Sequence, residues 1–144
     1  MQEYLDFLQQ NMIMAVVWAA LFVALIANFV KSANAAYKEV SAAQVTQMMN
    51  HDSALVVDIR SKDDFKRGHI TDAVNVLPSD IKAESTPSLE NKKSDPIIVV
   101  CKTGQTAQES ANLLAKSGFE QVYVLKGGLS AWSEANLPLI KGKK

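Results

Sequence analysis

One cysteine, Cys101, stands in 144 residues, so neither an internal disulfide nor a multi-cysteine metal site can form. The two histidines, His51 and His69, are well separated and have one thiol between them, which makes no metal-ligand set. No metal and no cofactor is therefore expected. Charge of one sign is not in excess either. Lys plus Arg is 15 and Asp plus Glu is 15, which excludes the basic surplus of a general nucleic-acid binder. There is no internal repeat and no low-complexity tract. The length suits one domain with an appendage.

What is present is unevenly spread. Residues 12–30 read MIMAVVWAALFVALIANFV, without a charge and with Asn28 as the one strongly polar group. As a helix rising about 1.5 Å per residue this run spans roughly 28 Å, close to the hydrocarbon thickness of a bilayer. Only a helix satisfies its own backbone there. A core helix of a small domain would show a polar face, and this run has none. A signal peptide needs a basic n-region. The start MQEYLDFLQQN instead carries Glu3 and Asp6 with no Lys or Arg, although Ala33-Asn34-Ala35 mimics a cleavage site. The reading is an uncleaved transmembrane helix. Every Lys and Arg lies at or after Lys31, so the positive-inside rule places the bulk of the chain in the cytoplasm. Residues 1–11 become a short extracytoplasmic start of a single-pass inner-membrane protein. Ala15, Ala19, Ala20, Ala24 and Ala27 permit close helix packing, with itself or with a membrane-protein partner, without demanding it.

Residues 31–39, KSANAAYKE, read as a tether, and 141–144, with Lys141, Lys143 and Lys144, as a frayed basic tail. Between them, residues 40–140 alternate strands and helices. Ser41 caps a helix with Val45, Met48 and Met49 on one face. Ala54–Ile59 is a short β-branched strand. Residues 61–67 form a helix capped by Ser61 and ended by Gly68. Ala73–Leu77 is a strand stopped by Pro78, and 79–96 a polar loop with a helical turn or two. Pro96–Cys101 is a strand apolar enough to be central. Thr106–Lys116 is a helix with Ala107, Ala111, Leu114 and Ala115 toward the sheet, closed at Gly118. Gln121–Leu125 is a strand, Gly127-Gly128 opens a helix carrying Leu129 and Trp132, and Leu137-Pro138 ends the domain. This is an α/β pattern: a central parallel sheet flanked by helices on both faces, preceded by one N-terminal transmembrane helix.

The chemistry points to Cys101. It ends the most apolar strand and is followed by the loop Lys102, Thr103, Gly104, Gln105, Thr106 and then a helix. Ligands of open α/β sheets bind just beyond the carboxyl ends of the strands. A tight loop entering a helix aims backbone N–H groups at one spot. A sulfur there meets the positive end of the helix dipole, and Lys102 adds charge, both favouring thiolate. Gly104 lets the loop bend. Position alone also fits a buried, inert cysteine. Asp58 and Arg60 read as loop-fixing contacts, His69 as a satisfied structural histidine, His51 as exposed, and Phe65 and Trp132 as core.

The surrounding motifs separate these readings. Asp58-Ile59-Arg60, Phe65, Gly68-His69-Ile70, Ala73 and Asn75, and then Gly127-Gly128, Ala131-Trp132 and Leu137-Pro138, resemble in order the two signatures of the rhodanese family of sulfurtransferases. The resemblance covers about residues 39–140, and with the anchor the chain is similar to YibN-type membrane-anchored, single-domain rhodaneses. It implies that Cys101 attacks a small anionic sulfane donor such as thiosulfate, forms a persulfide, and passes the sulfur to a cellular thiol or to cyanide. It further implies that the amides of Lys102, Thr103, Gly104, Gln105 and Thr106 stabilise the charged sulfur, with the Lys102 and Thr106 side chains orienting the donor. Lys102 stands where many thiosulfate-type loops carry Arg. A second reading is an interaction module displayed at the membrane, with incidental turnover. A cysteine phosphatase of the related fold would need His before the Cys and Arg to clamp phosphate. Val100 and Ala107 stand there instead.

Overall fold

A computed structural model describes residues 1–33 and 35–142. Lys143 and Lys144 of the basic tail, and Asn34 of the cleavage-like triplet, lie outside them. The chain divides into two units, Met1–Ala35 and Ala36–Lys144.

The first unit is two helices, α1 (Gln2–Gln10) and α2 (Met12–Ala33). None of residues 12–30 is buried within the chain. This stretch is one apolar helix long enough to cross a membrane. α1 went unnoticed in the sequence, because a nine-residue segment beside a far stronger apolar run carries little signal of its own.

The second unit is built on five strands: β1 (Lys38–Val40), β2 (Leu55–Asp58), β3 (Val74–Asn75), β4 (Pro96–Val100) and β5 (Gln121–Leu125). All neighbours are parallel, in the order β1-β5-β4-β2-β3. β4 is the middle strand, and its Ile97, Ile98, Val99 and Val100 are wholly buried. Burying each such side chain is worth about 2 kcal/mol, so this unbroken run belongs nowhere else.

Successive side chains point to opposite faces, and the helices sort accordingly. Ile97 and Val99 of β4 face a core shared with Ile81, Leu89, Ala107, Ala111 and Leu114. These come from α5 (Pro78–Lys82), a 3-10 turn (Pro87–Lys92) and α6 (Gln105–Lys116). Ile98 and Val100 face Val45, Phe65, Leu129 and Trp132. These come from α3 (Ala42–His51), α4 (Lys62–Arg67) and α7 (Gly128–Glu134). Both faces are thus covered. Ser41 completes a capping box with Gln44, and the Ser61 hydroxyl accepts the amide of Asp64.

Two segments differ from the sequence reading. Residues 31–39 are only in part a tether, since α2 continues to Ala33 and Lys38–Val40 pair in register with Tyr123–Leu125. A three-residue edge strand with two exposed positions has no apolar pattern to betray it. Of Ala73–Leu77 only Val74 and Asn75 pair, and Pro78 does not merely stop the strand but begins α5, where its missing N–H is harmless.

Candidate active site

Cys101 leaves the carboxyl end of β4 with its side chain in the core layer under α6, and the residue is only 5% exposed. The amide of Gly104 donates to its Sγ at 3.0 Å. Gly104 adopts φ +90 and serves as the N-cap of α6, a left-handed turn that glycine makes without strain. Gln105 and Thr106 follow as the first residues of α6, where amides have no acceptor inside their own helix. Thus the loop places Sγ beside a backbone donor and at the positive end of a twelve-residue helix. The side chains of Lys102, Thr103, Gln105 and Thr106 are exposed, whereas Gly104 is buried. Sequence reasoning expected all five amides to serve the sulfur. It is the Gly104 amide that reaches Sγ itself.

Equally important is where the loop carbonyls go. Cys101 O accepts the Leu129 amide at 2.9 Å, and Lys102 O accepts both the amide and the hydroxyl of Ser130 at 3.1 Å. The first turn of α7 therefore holds the carbonyls of Cys101 and Lys102. This contact explains Gly128. Gly128 has φ +59, and a Cβ there would come within 2.7 Å of the Lys102 carbonyl carbon and oxygen. Ser130 was not singled out from the sequence. A serine three residues into a Gly-Gly helix start carries no signal until the fold sets it beside Lys102.

Asp58 and Arg60 brace the neighbouring strand end. The Arg60 guanidinium contacts both oxygens of the buried Asp58 carboxylate, the shortest at 2.7 Å, and also donates to Gly68 O at 2.6 Å. Asn75 Nδ2 donates to the carbonyls of Asp58 and Arg60, both at 2.9 Å. Between them, the Ile59 amide donates to Val100 O at 3.0 Å, one residue before the cysteine. The pair acts as a lock on the β2 exit, as the sequence suggested. Arg60→Ala would leave a buried carboxylate unpaired, and a loss of about 3 kcal/mol is expected in urea unfolding. Arg60→Lys should recover only part of it, since an ammonium cannot make the bidentate contact.

His69 is buried, its Nδ1 2.8 Å from Phe65 O and its ring stacked on Phe65 with centroids 3.9 Å apart. Its backbone exchanges two hydrogen bonds with Ile140. It is a structural histidine, and His51 ends α3 exposed to solvent. Phe65 and Trp132 are core, and Trp132 Nε1 donates to Pro138 O at 3.1 Å, which pins the Leu137-Pro138 segment.

The geometry can be set beside known proteins. The family model described as a rhodanese-like domain matches residues 41–135. The uncharacterized protein YibN of Escherichia coli K12 is 43% identical over 143 residues, covering 99% of this chain and 100% of that protein. The thiosulfate sulfurtransferase GlpE of Shewanella oneidensis is 39% identical over 100 residues, 69% of this chain and 96% of its own. Among solved structures, a rhodanese-related protein of Thermoplasma volcanium superposes with a TM-score of 0.63 at 21% identity, covering 74% of this chain and 100% of that one. That last likeness concerns the fold alone.

Proposed function

Because the chain belongs to the rhodanese-like domain family, we propose that it is a membrane-anchored sulfurtransferase that moves a sulfane sulfur through a persulfide on Cys101. Sulfurtransferase chemistry is the family-level reading. The observation that carries it to this site is the Gly104 amide on Sγ, with the carbonyls of Cys101 and Lys102 turned away into α7. Such a pocket holds negative charge on sulfur without a counter-ion.

The steps balance as a double displacement. The Cys101 thiolate attacks the outer sulfur of thiosulfate, the donor S–S bond breaks, and sulfite leaves with the bonding pair. The outer sulfur of the resulting persulfide lies farther from the core than Sγ, toward the amides of Gln105 and Thr106. A cellular thiolate, or cyanide, then takes that sulfur and returns the Cys101 thiolate. The 5% exposure of Cys101 favours a slim terminal sulfur over a bulky one. Exposed Lys102 supplies a point charge for the anionic donor rather than a forked clamp.

Mass spectrometry of the purified protein after thiosulfate tests the reading. One sulfur atom should be gained and then lost on adding cyanide. No gain with any sulfane donor would overturn it and leave the membrane-displayed interaction module.

The anchor reading rests on Met12–Val30, apolar and unburied. With all Lys and Arg at or beyond Lys31, the rhodanese domain faces the cytoplasm of an inner-membrane protein, where thiols stay reduced. Protease added to sealed right-side-out spheroplasts should leave the domain intact, and its digestion there would refute this orientation.

A further inference from the structure

Resting on the reading of Met12–Val30 as a bilayer span, we propose that α1 is a second membrane element: an amphipathic helix that lies in the lipid–water interface rather than standing in water. Its faces are segregated. At 3.6 residues per turn, Tyr4, Leu5, Phe7 and Leu8 fall within an arc of about 160°, and Gln2, Glu3, Asp6, Gln9 and Gln10 occupy the rest. The four apolar side chains are between 50% and 76% exposed, so none of the described residues of Met1–Ala35 covers them.

The joint to the span is one residue long. Asn11 has φ −117 and ψ 37, and its amide and its Nδ2 both donate to Phe7 O, at 3.1 and 3.0 Å. Its own carbonyl accepts the Ala15 amide at 3.0 Å. The last turn of α1 and the first of α2 are thus tied through a single residue, by its side chain and amide to α1 and by its carbonyl to α2. If α2 begins at the edge of the hydrocarbon, α1 has no slack to leave the headgroup layer. An apolar cleft of about 370 Å³ opens between the helices, lined by Leu5 and Leu8 on one side and Met12, Ala15, Val16 and Ala19 on the other. It is continuous with the lipid-facing surface of the span and is of a kind that acyl chains fill.

The occupant is lipid rather than a second copy because the apolar arc is broad. A helix–helix seam needs a narrower stripe. The tyrosine and phenylalanine suit the headgroup boundary. The polar face carries Glu3 and Asp6 and no base, so attraction to anionic lipid contributes nothing and binding comes from apolar area.

Spin labels on the full-length chain test this, using Cys101→Ser as background and adding Asp6→Cys, Phe7→Cys or Leu21→Cys, in phosphatidylcholine vesicles. Collisions with oxygen report lipid, and collisions with a water-soluble nickel chelate report water. Phe7 should favour oxygen severalfold over Asp6 yet less than mid-span Leu21, as a site at the headgroup–acyl boundary does, while Asp6 favours nickel, and high salt should change neither. Equal nickel access at Asp6 and Phe7, with Leu21 still in lipid, would overturn the interfacial helix and leave the span standing. Nickel access at Leu21 would overturn the span itself, and α1's placement with it. Label–label broadening at Phe7, with both reagents shielded, would show that another copy covers the face and would equally overturn the proposal.

Discussion

Cys101→Ser is expected to abolish sulfur uptake from thiosulfate and to lower sulfurtransferase turnover by on the order of 10⁴-fold or more, the scale seen when a covalent nucleophile is removed. A serine Oγ can still accept the Gly104 amide that Sγ accepts at 3.0 Å, so the loop has no cause to rearrange. The core around position 101 loses little volume, and stability should change by no more than about 1 kcal/mol. What disappears is a polarisable nucleophile that can hold an extra sulfur. Intact-mass measurement should therefore find no sulfur gain on a protein whose urea midpoint is almost unmoved. A variant that keeps turnover would exclude the persulfide route. A variant that unfolds would show the cysteine to be chiefly a packing residue.

Gly128→Ala should damage both stability and activity. Two effects add. Position 128 holds φ +59, a left-handed conformation that costs a side-chain-bearing residue roughly 1–2 kcal/mol. The new Cβ would also press on the carbonyls of Cys101 and Lys102, lying within 2.7 Å of the latter's carbon and oxygen. These are backbone atoms with no rotamer to escape into. The loop must move, and with it the bonds from Leu129 and Ser130 that turn those carbonyls aside. A total loss of about 3 kcal/mol in stability is expected. A shift of about 1 Å in the nucleophile can cost about 10²-fold in rate, and that is the expected drop in turnover. Gly68→Ala is the matched control. Its φ of 172 is ordinary extended backbone, and its Cβ would meet only the Leu139 side chain at 3.5 Å. It should be neutral within about 1 kcal/mol and fully active.

Much of the domain was legible in particular residues. The run from Pro96 to Val100 could only be a central strand, because wholly apolar β-branched sequence is stable only when buried on both faces. Ser41 and Ser61 announced their helices through capping chemistry that acts within three residues. The strand β1 and the helix α1 were not legible. One is an exposed edge that exists only because β5 offers it a ladder. The other is too short to stand out beside residues 12–30. Cys101 was legible as a candidate, since it ends the central strand and precedes a helix. Ser130 was not.

The sequence by itself determined the apolar helix at residues 12–30, the alternation of strands and helices that follows it, and the place of Cys101 at the end of the central strand, ahead of a helix. Each follows from short-range rules of periodicity, capping and charge. Only the tertiary structure decided which loop amide reaches Sγ, where the carbonyls of Cys101 and Lys102 are sent, and why Gly128 must be bare. The first is a local contact set by the turn at Gly104, and the other two depend on α7 arriving from 27 residues further along to meet the loop. A contact between such distant segments is set by how the sheet orders its strands, which no local pattern contains.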